Sequence, residues 1–198
     1  MSGMPFTLTQ PSRHQEDIKK SRFLALAAPV ESPGQALAFV QDASDPAATH
    51  NCWAYRIGQD YRFNDDGEPG GTAGRPILQA IDGQQMDRVV VVVARWYGGI
   101  KLGAGGLVRA YGGTAAECLR RAERVPIIPM ATLALSCSFA DLALLKARLH
   151  ELDASIAGEN FTSQGADLQL TLPLTRVDEA VSRIADLTRG EAIARRID

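Results

Sequence analysis

The sequence predicts an α+β protein of two domains. Pro126 and Pro129 interrupt the chain, because proline lacks an amide hydrogen and restricts the residue before it. Twelve of the eighteen glycines lie between positions 67 and 113, and only three follow the prolines. The part up to the prolines carries 14 basic and 13 acidic residues, and the part after them carries 7 and 10. We therefore expect one domain over 1–126 and a second over 130–198.

The predicted second domain has the order β-α-β-β-α-β. Its segments are a strand over 132–138, a helix over 140–152, strands over 155–162 and 167–174, a helix over 176–187 and a strand over 191–197. Leu142, Leu145 and Leu149 share one helical face. Leu168 and Leu170 share one side of a strand, as the two-residue period requires. This order predicts a ferredoxin-like unit.

The first domain has a less regular pattern. Its predicted segments are a strand over 21–30, a helix over 32–43, strands over 50–58 and 59–64, a helix over 72–81, a strand over 88–96 and a helix over 103–125. Ser32 is a good N-cap and Pro33 suits the first helical position. Gly58 is placed to join the two middle strands. The run "RVVVVVARW" predicts a strand buried on both faces.

Composition excludes several classes of protein. The 198 residues carry a net charge of −2, so any site for an anion must be local rather than a broadly basic surface. No stretch approaches the roughly 18 consecutive apolar residues of a membrane span, and the first twenty residues lack a signal-peptide core. The three cysteines, Cys52, Cys118 and Cys137, lie in apolar segments and predict buried thiols in a reducing cytoplasm.

A glycine-rich loop, "YGGIKLGAGG", separates the valine strand from the helix that follows. Such a loop can offer backbone amides and a helix N-terminus to an anion, with Lys101 in the loop and Arg95 and Arg109 beside it. The pattern matches neither a P-loop nor a dinucleotide fingerprint. Close packing explains the loop equally well, and it is the favoured explanation for Gly112 and Gly113 in the helix.

Three carboxylates crowd into the stretch "FNDDGEPGGTAGRP", at Asp65, Asp66 and Glu68. They could hold a divalent cation or act as an acid and base pair. The calcium-loop spacing is absent, and acidic residues with glycine are common turn chemistry. The favoured interpretation is a hydrogen-bonded loop tied to Arg75 or Arg95.

The stretch "THNCWAYR" places His50 and Cys52 two residues apart, on one face of a strand. At this spacing they lie about 6–7 Å apart, which is too far for a nucleophile and its base. A buried thiol is the favoured interpretation of Cys52. Aromatic and basic residues nearby could stack on nucleic-acid bases or could fill the core: Trp53, Tyr55, Arg56, Tyr61, Arg62, Trp96 and Tyr97.

Four blocks of this chain resemble the signature blocks of the IMPACT family, and its bacterial YigZ branch most closely. They are "KKSRFLA", "ATHNCWAYRIG", "DDGEPGGTAGRPIL" and "ARWYGGIKLGAGGLVRAYG". For the first domain, the resemblance implies the βαβ sandwich of a small-subunit ribosomal protein, the GHMP kinases and domain four of elongation factor G. The YigZ branch adds a ferredoxin-like second domain, so the pair is similar to domains four and five of that factor.

The resemblance implies a non-catalytic cytoplasmic protein that binds nucleic acid or the ribosome and modulates translation, since eukaryotic IMPACT proteins are linked to translational control. We expect no cofactor, bound metal or membrane contact. The alternatives are a nucleotide- or phosphate-binding enzyme and a module that docks a protein partner. The expected phosphate-binding residues are Arg75, Arg95, Gly98, Gly99, Lys101, Gly103, Gly105, Gly106 and Arg109. The expected supporting polar residues are His50, Asn51, Asp65, Asp66, Glu68 and Thr72.

Overall fold

The fold comes from a computed structural model, which describes residues 4–198. The chain forms two units, one ending at Ile127 and the other beginning at Ile128. The first contains β1 (Phe6–Leu8), β2 (Ser12–Ile18), β3 (Ser21–Pro29), α1 (Pro33–Ala43), β4 (His50–Ile57), β5 (Asp60–Asn64), α2 (Gly74–Gly83), β6 (Val89–Trp96), α3 (Ala104–Arg121) and β7 (Arg124–Pro126). The second contains β8 (Met130–Ser138), α4 (Phe139–Arg148), β9 (Ser155–Phe161), β10 (Gly165–Pro173), α5 (Val177–Leu187) and β11 (Arg195–Arg196).

A five-stranded antiparallel sheet organises the first unit, with the order β2-β3-β6-β4-β5. The valine strand β6 is central, and every residue of Val89–Val93 is at most 1% exposed. Val89, Val91 and Val93 belong to a core with α2 and α3, whereas Val90 and Val92 pack with α1. The prediction of a strand buried on both faces is confirmed.

Local signals in the first unit act as the sequence predicts. The Ser32 hydroxyl accepts a hydrogen bond from the Gln35 amide at 3.3 Å, and Pro33 is the first residue of α1. Gly58 has a φ of +60° in the turn between β4 and β5, a backbone conformation that glycine adopts readily. Strands β4 and β5 pair across this turn.

Three strands of the first unit were not predicted from the sequence. Strand β2 lies at the edge of the sheet and alternates exposed with half-buried residues, so it has no strongly apolar face. Strands β1 and β7 are three residues long and pair with each other, with Phe6 opposite Pro126. Segments this short or this polar carry little periodic signal.

The second unit has the sheet order β11-β8-β10-β9, which is the order of a ferredoxin-like domain. The predicted leucines of the first helix and of β10 are all buried in the core of this unit. Helix α4 ends at Arg148 and continues as a 3₁₀ turn over Leu149–Leu152. The predicted last strand shortens to Arg195–Arg196. The α+β fold with two domains is confirmed. Among residues 4–198, no helix is both long and apolar enough to cross a membrane.

Candidate phosphate-binding cleft

A cleft of about 480 Å³ opens in the first unit beside the start of α3. Its walls include His50, Glu68, Arg95, Tyr97 and Lys101. His50 and Arg95 face each other as paired residues of β4 and β6, so their side chains point to the same side of the sheet. The volume lies within the range of about 300–1,000 Å³ that is usual for small-ligand sites.

A buried ion pair forms one wall of this cleft. Arg95 Nη1 donates to Glu68 Oε1 at 2.7 Å, and the two side chains are 6% and 4% exposed. The Tyr111 hydroxyl donates to the same carboxylate oxygen, also at 2.7 Å. Arg95 Nη2 and Nε lie 3.3 and 3.4 Å from the Ser21 hydroxyl oxygen. These contacts fix Arg95 and Glu68 in place and offset the carboxylate charge.

His50 is held by one ring nitrogen and presents the other to the cleft. Its Nδ1 atom lies 2.7 Å from the backbone carbonyl oxygen of Asp66. A carbonyl can only accept a hydrogen bond, so this contact assigns the proton to Nδ1. The Nε2 atom lies 3.8 Å from Glu68 Oε1, which is beyond hydrogen-bond distance.

The glycine loop places positive charge beside this cleft. A side chain on Gly98 would meet the Lys20 carbonyl oxygen at 1.8 Å, so the loop packs directly on the β2–β3 turn. Gly103 has a φ of +74° and precedes α3, whose first turn has no acidic residue and no side-chain cap. Exposed Lys101 lies just before this helix N-terminus, which carries a partial positive charge.

Close packing explains one glycine of the loop but neither of the two glycines within the helix. Gly98 is required by close packing, because a Cβ would overlap backbone atoms. In the helix, close packing is not needed: a Cβ on Gly112 would be 3.5 Å from Pro76, an ordinary contact, and one on Gly113 would meet nothing within 4 Å.

The three carboxylates of the acidic turn have three different partners. Asp65 accepts hydrogen bonds from the amides of Gly71, Ala73 and Gly74, at 2.8–3.0 Å, and so caps the start of α2. Burial raises the pKa of Asp65, but these backbone donors outweigh it and leave the pKa below its ordinary value. Asp66 accepts from the Asn51 amide at 2.6 Å.

Of these three carboxylates, only Glu68 forms the predicted contact with an arginine, which is an ion pair with Arg95. Asp65 and Asp66 instead accept hydrogen bonds from backbone amides. Within residues 4–198, no group of three histidine, cysteine, aspartate or glutamate side chains is arranged to hold a metal ion.

The remaining predicted residues lie outside the walls of the cleft. Arg75 is exposed on α2. The Asn51 side-chain amide donates to the Asp45 carbonyl oxygen, and the Thr72 hydroxyl donates to the Pro69 carbonyl oxygen. Arg109 is exposed on α3, and its Nη1 atom would lie 3.5 Å from a Cβ on Gly105, in the first turn of that helix. Gly98, Gly99, Gly105 and Gly106 shape the loop and the helix start without lining the cleft.

Sequence reasoning missed two residues of the buried network. Tyr111 stands at helical spacing with apolar neighbours, so its sequence context predicts a core residue and not a hydrogen-bond donor to Glu68. Ser21 is a single hydroxyl at the start of a strand. The one sequence feature that draws attention to Ser21 is its place within the block "KKSRFLA".

Two protein-domain families match this two-domain α+β chain. The Impact N-terminal domain matches residues 19–119, and a domain of unknown function, DUF1949, matches residues 135–191. An IMPACT family member of Thermus thermophilus, described as in the pol 5' region, is 49% identical over 178 residues, 87% of this chain and 96% of its own. IMPACT family member YigZ of Escherichia coli is 38% identical over 182 residues, 88% of this chain and 89% of its own.

A solved structure agrees with these matches. The crystal structure of a hypothetical protein is 36% identical, covers 98% of this chain and 97% of its own, and has a TM-score of 0.73. The chain belongs to the IMPACT family. The predicted family resemblance is confirmed.

Proposed function

We propose that the protein binds phosphate groups of RNA, free or within the ribosome, in the cleft beside α3, and that it modulates translation in this way. The observation that carries the proposal is the position of Lys101. It lines the same cleft as Gly103 and Ala104, at the uncapped N-terminus of an 18-residue helix. A lysine and a helix N-terminus are both suited to bind a phosphate.

Local charge supports binding of an anion in this cleft. Arg95 and Lys101 oppose the single carboxylate of Glu68, so the charged side chains that line the cleft have a positive sum, whereas the whole chain carries −2. Arg109 adds an exposed positive charge near the first turn of α3. Arg95 supports the site indirectly, because its guanidinium is hydrogen-bonded to Glu68.

Binding to a structured RNA and to purified ribosomes, each over a series of salt concentrations, tests this proposal. For phosphate contacts, the logarithm of the affinity falls linearly with the logarithm of the salt concentration. We expect Lys101→Ala to weaken binding and to lower this slope by about one. Lys101→Ala combined with Arg109→Ala should lower it by about two.

Arg88→Ala is the matched control, because it removes one positive charge at the opposite end of β6. Its ion pair with Glu31, at 3.5 Å, is largely exposed and contributes little to stability. This control should bind as the wild type does. Binding that does not respond to salt, or that Lys101→Ala leaves unchanged, would contradict the proposal.

A second candidate function is binding of, or catalysis on, a phosphorylated small molecule. The volume of the cleft, about 480 Å³, favours it, because a compact cavity suits a small ligand better than a long strand. A thermal-shift screen of nucleotides, with and without Mg²⁺, tests it: stabilisation of a protein that fails to bind RNA favours this second function. A ligand at a hundred times its dissociation constant should stabilise the fold by about 2.7 kcal/mol.

A further inference from the structure

A neutral His50 and Glu68 place two hydrogen-bond acceptors opposite each other inside the cleft. In the neutral imidazole the proton lies on Nδ1, so Nε2 presents a lone pair, 3.8 Å from Glu68 Oε1. The carboxylate is 4% exposed and already accepts from Arg95 and Tyr111. A pair of acceptors at this separation is unfavourable alone, and a donor that reaches both relieves it.

A hydroxyl group reaches both acceptors when its single hydrogen is shared between them in a bifurcated hydrogen bond. The acceptors occupy one part of the cleft, and the donors that suit a phosphate, Lys101 and the start of α3, occupy another part of the same cleft. A ligand that satisfies both parts carries a hydroxyl and a phosphate. A ribonucleotide has this arrangement, and carboxylates in nucleotide sites commonly bind ribose hydroxyls.

We infer that the cleft recognises a ribonucleotide unit, with the sugar hydroxyl bound by His50 Nε2 and the Glu68 carboxylate and the phosphate bound by Lys101 and the first turn of α3. The inference rests on the phosphate site proposed above and adds the chemistry of the sugar. The 2′-hydroxyl is the group by which a protein distinguishes RNA from DNA. A site that binds the 2′-hydroxyl selects RNA without reading its bases.

Calorimetric titration at pH 8 tests the inference, using adenosine 5′-monophosphate, its 2′-deoxy and 2′,3′-dideoxy analogues, and inorganic phosphate as probes. We expect the ribonucleotide to bind about tenfold more tightly than the dideoxy analogue, the loss that follows from one missing hydrogen bond to a charged group. The 2′-deoxy analogue shows which hydroxyl is bound. Equal affinities for the ribonucleotide and the dideoxy analogue, or no binding of the ribonucleotide, would overturn the inference.

Two substitutions of His50 distinguish the roles of its two ring nitrogens. In His50→Asn, the side-chain amide can still donate to the Asp66 carbonyl, as Nδ1 does, but nothing replaces Nε2. In His50→Gln, the side chain reaches the position of Nε2. We expect His50→Asn to abolish the preference for the ribonucleotide, with inorganic phosphate bound as before, and His50→Gln to retain part of the preference. A full preference in a folded His50→Asn variant would overturn the role of His50.

The outcomes also separate this inference from the proposed function. In one outcome, RNA binding depends on salt and on Lys101, but the ribonucleotide and dideoxy probes bind equally. This would contradict the sugar contact and support the phosphate site. In another outcome, the protein prefers the ribonucleotide to the dideoxy probe but binds no RNA. This would support the inference and contradict the proposed role in RNA binding. Lys101→Ala should weaken inorganic phosphate and nucleotide binding by the same factor, because it removes only the phosphate contact.

Discussion

The Tyr111 hydroxyl donates a hydrogen bond to Glu68 Oε1 across 2.7 Å, and so joins the middle of α3 to the loop that follows β5. Tyr111 is fully buried, and its ring packs edge-on against Phe23 at a centroid distance of 5.3 Å. Burial raises the pKa of Tyr111, and the nearby Cys52 and Glu68 raise it further, so the hydroxyl stays protonated and remains a donor. The wall of the cleft is thereby tied to the core of the unit.

Tyr111→Phe should lower the free energy of unfolding by about 2 kcal/mol, because it leaves a buried carboxylate without one of its donors. The ring and its packing are kept, so the loss reports the hydroxyl alone. Tyr61→Phe is the matched control, since Tyr61 is 56% exposed, and it should change stability little. Urea denaturation of both variants measures the difference. Equal stability of Tyr111→Phe and the wild type would contradict the hydrogen-bonded network.

Asp65→Ala should lower the free energy of unfolding by about 1–2 kcal/mol, as the loss of a helix cap does. The folded pKa of Asp65 is lowered, so its stabilising effect is fully present above the pKa of the unfolded chain and is lost as the pH falls through the folded value. The difference in the free energy of unfolding between variant and wild type should be largest at pH 7 and should decrease below about pH 4. We call this difference the gap. Asp60→Ala, at an exposed position of β5, should show no such gap. A gap that is constant with pH would exclude the charge-dependent cap.

Gly98→Ala and Gly113→Ala should change stability in opposite directions. A Cβ at Gly98 would lie 1.8 Å from the Lys20 carbonyl oxygen, so the loop must shift and the variant should melt at a lower temperature. A Cβ at Gly113 would meet nothing within 4 Å, and alanine there should stabilise α3 by about 0.5–1 kcal/mol. Thermal melting of the two variants tests this. A stable Gly98→Ala variant would show that the loop is not packed on the β2–β3 turn.

Cys52 should resist alkylation in the folded protein. Its thiol is fully buried and donates to the Asp65 carbonyl oxygen at 3.0 Å. Burial raises the pKa of the Cys52 thiol to about 12, so very little reactive thiolate exists at pH 8. Mass spectrometry after iodoacetamide treatment should find Cys52 unmodified in buffer and fully modified in urea. Rapid modification in buffer would show that this part of the first unit opens readily.

Strong periodic signals made most of the fold predictable. The five valines of β6 form a continuous apolar run, and the leucines of the second unit recur at a regular spacing on one buried face. Ser32 and Pro33 mark the start of α1. The edge strand β2 was missed because its residues are polar and at most half-buried. An edge strand is defined by its neighbour, and the neighbour lies elsewhere in the sequence.

The candidate site was predictable in part. The glycine loop and the acidic turn pointed to Lys101, Arg95 and Glu68, which the fold brings to one cleft. The sequence could not distinguish Glu68 from Asp65, because the difference depends on which backbone amides approach each carboxylate. Asp65 is close to α2 because Gly74, which has no side chain, lies directly against the backbone of Asn64. This contact forms only in the folded chain.

Chemical-shift mapping tests the central claim most directly. A short 5′-phosphorylated RNA would be titrated into ¹⁵N-labelled protein, with Lys101→Ala and Arg88→Ala measured in parallel. We predict that the largest amide shifts fall on Gly103–Gly106 and His50, that Lys101→Ala abolishes them and that Arg88→Ala does not. Shifts confined to the second unit or to the end of the sheet around Arg88, or equal shifts in the Lys101→Ala variant, would contradict a phosphate-binding cleft beside α3.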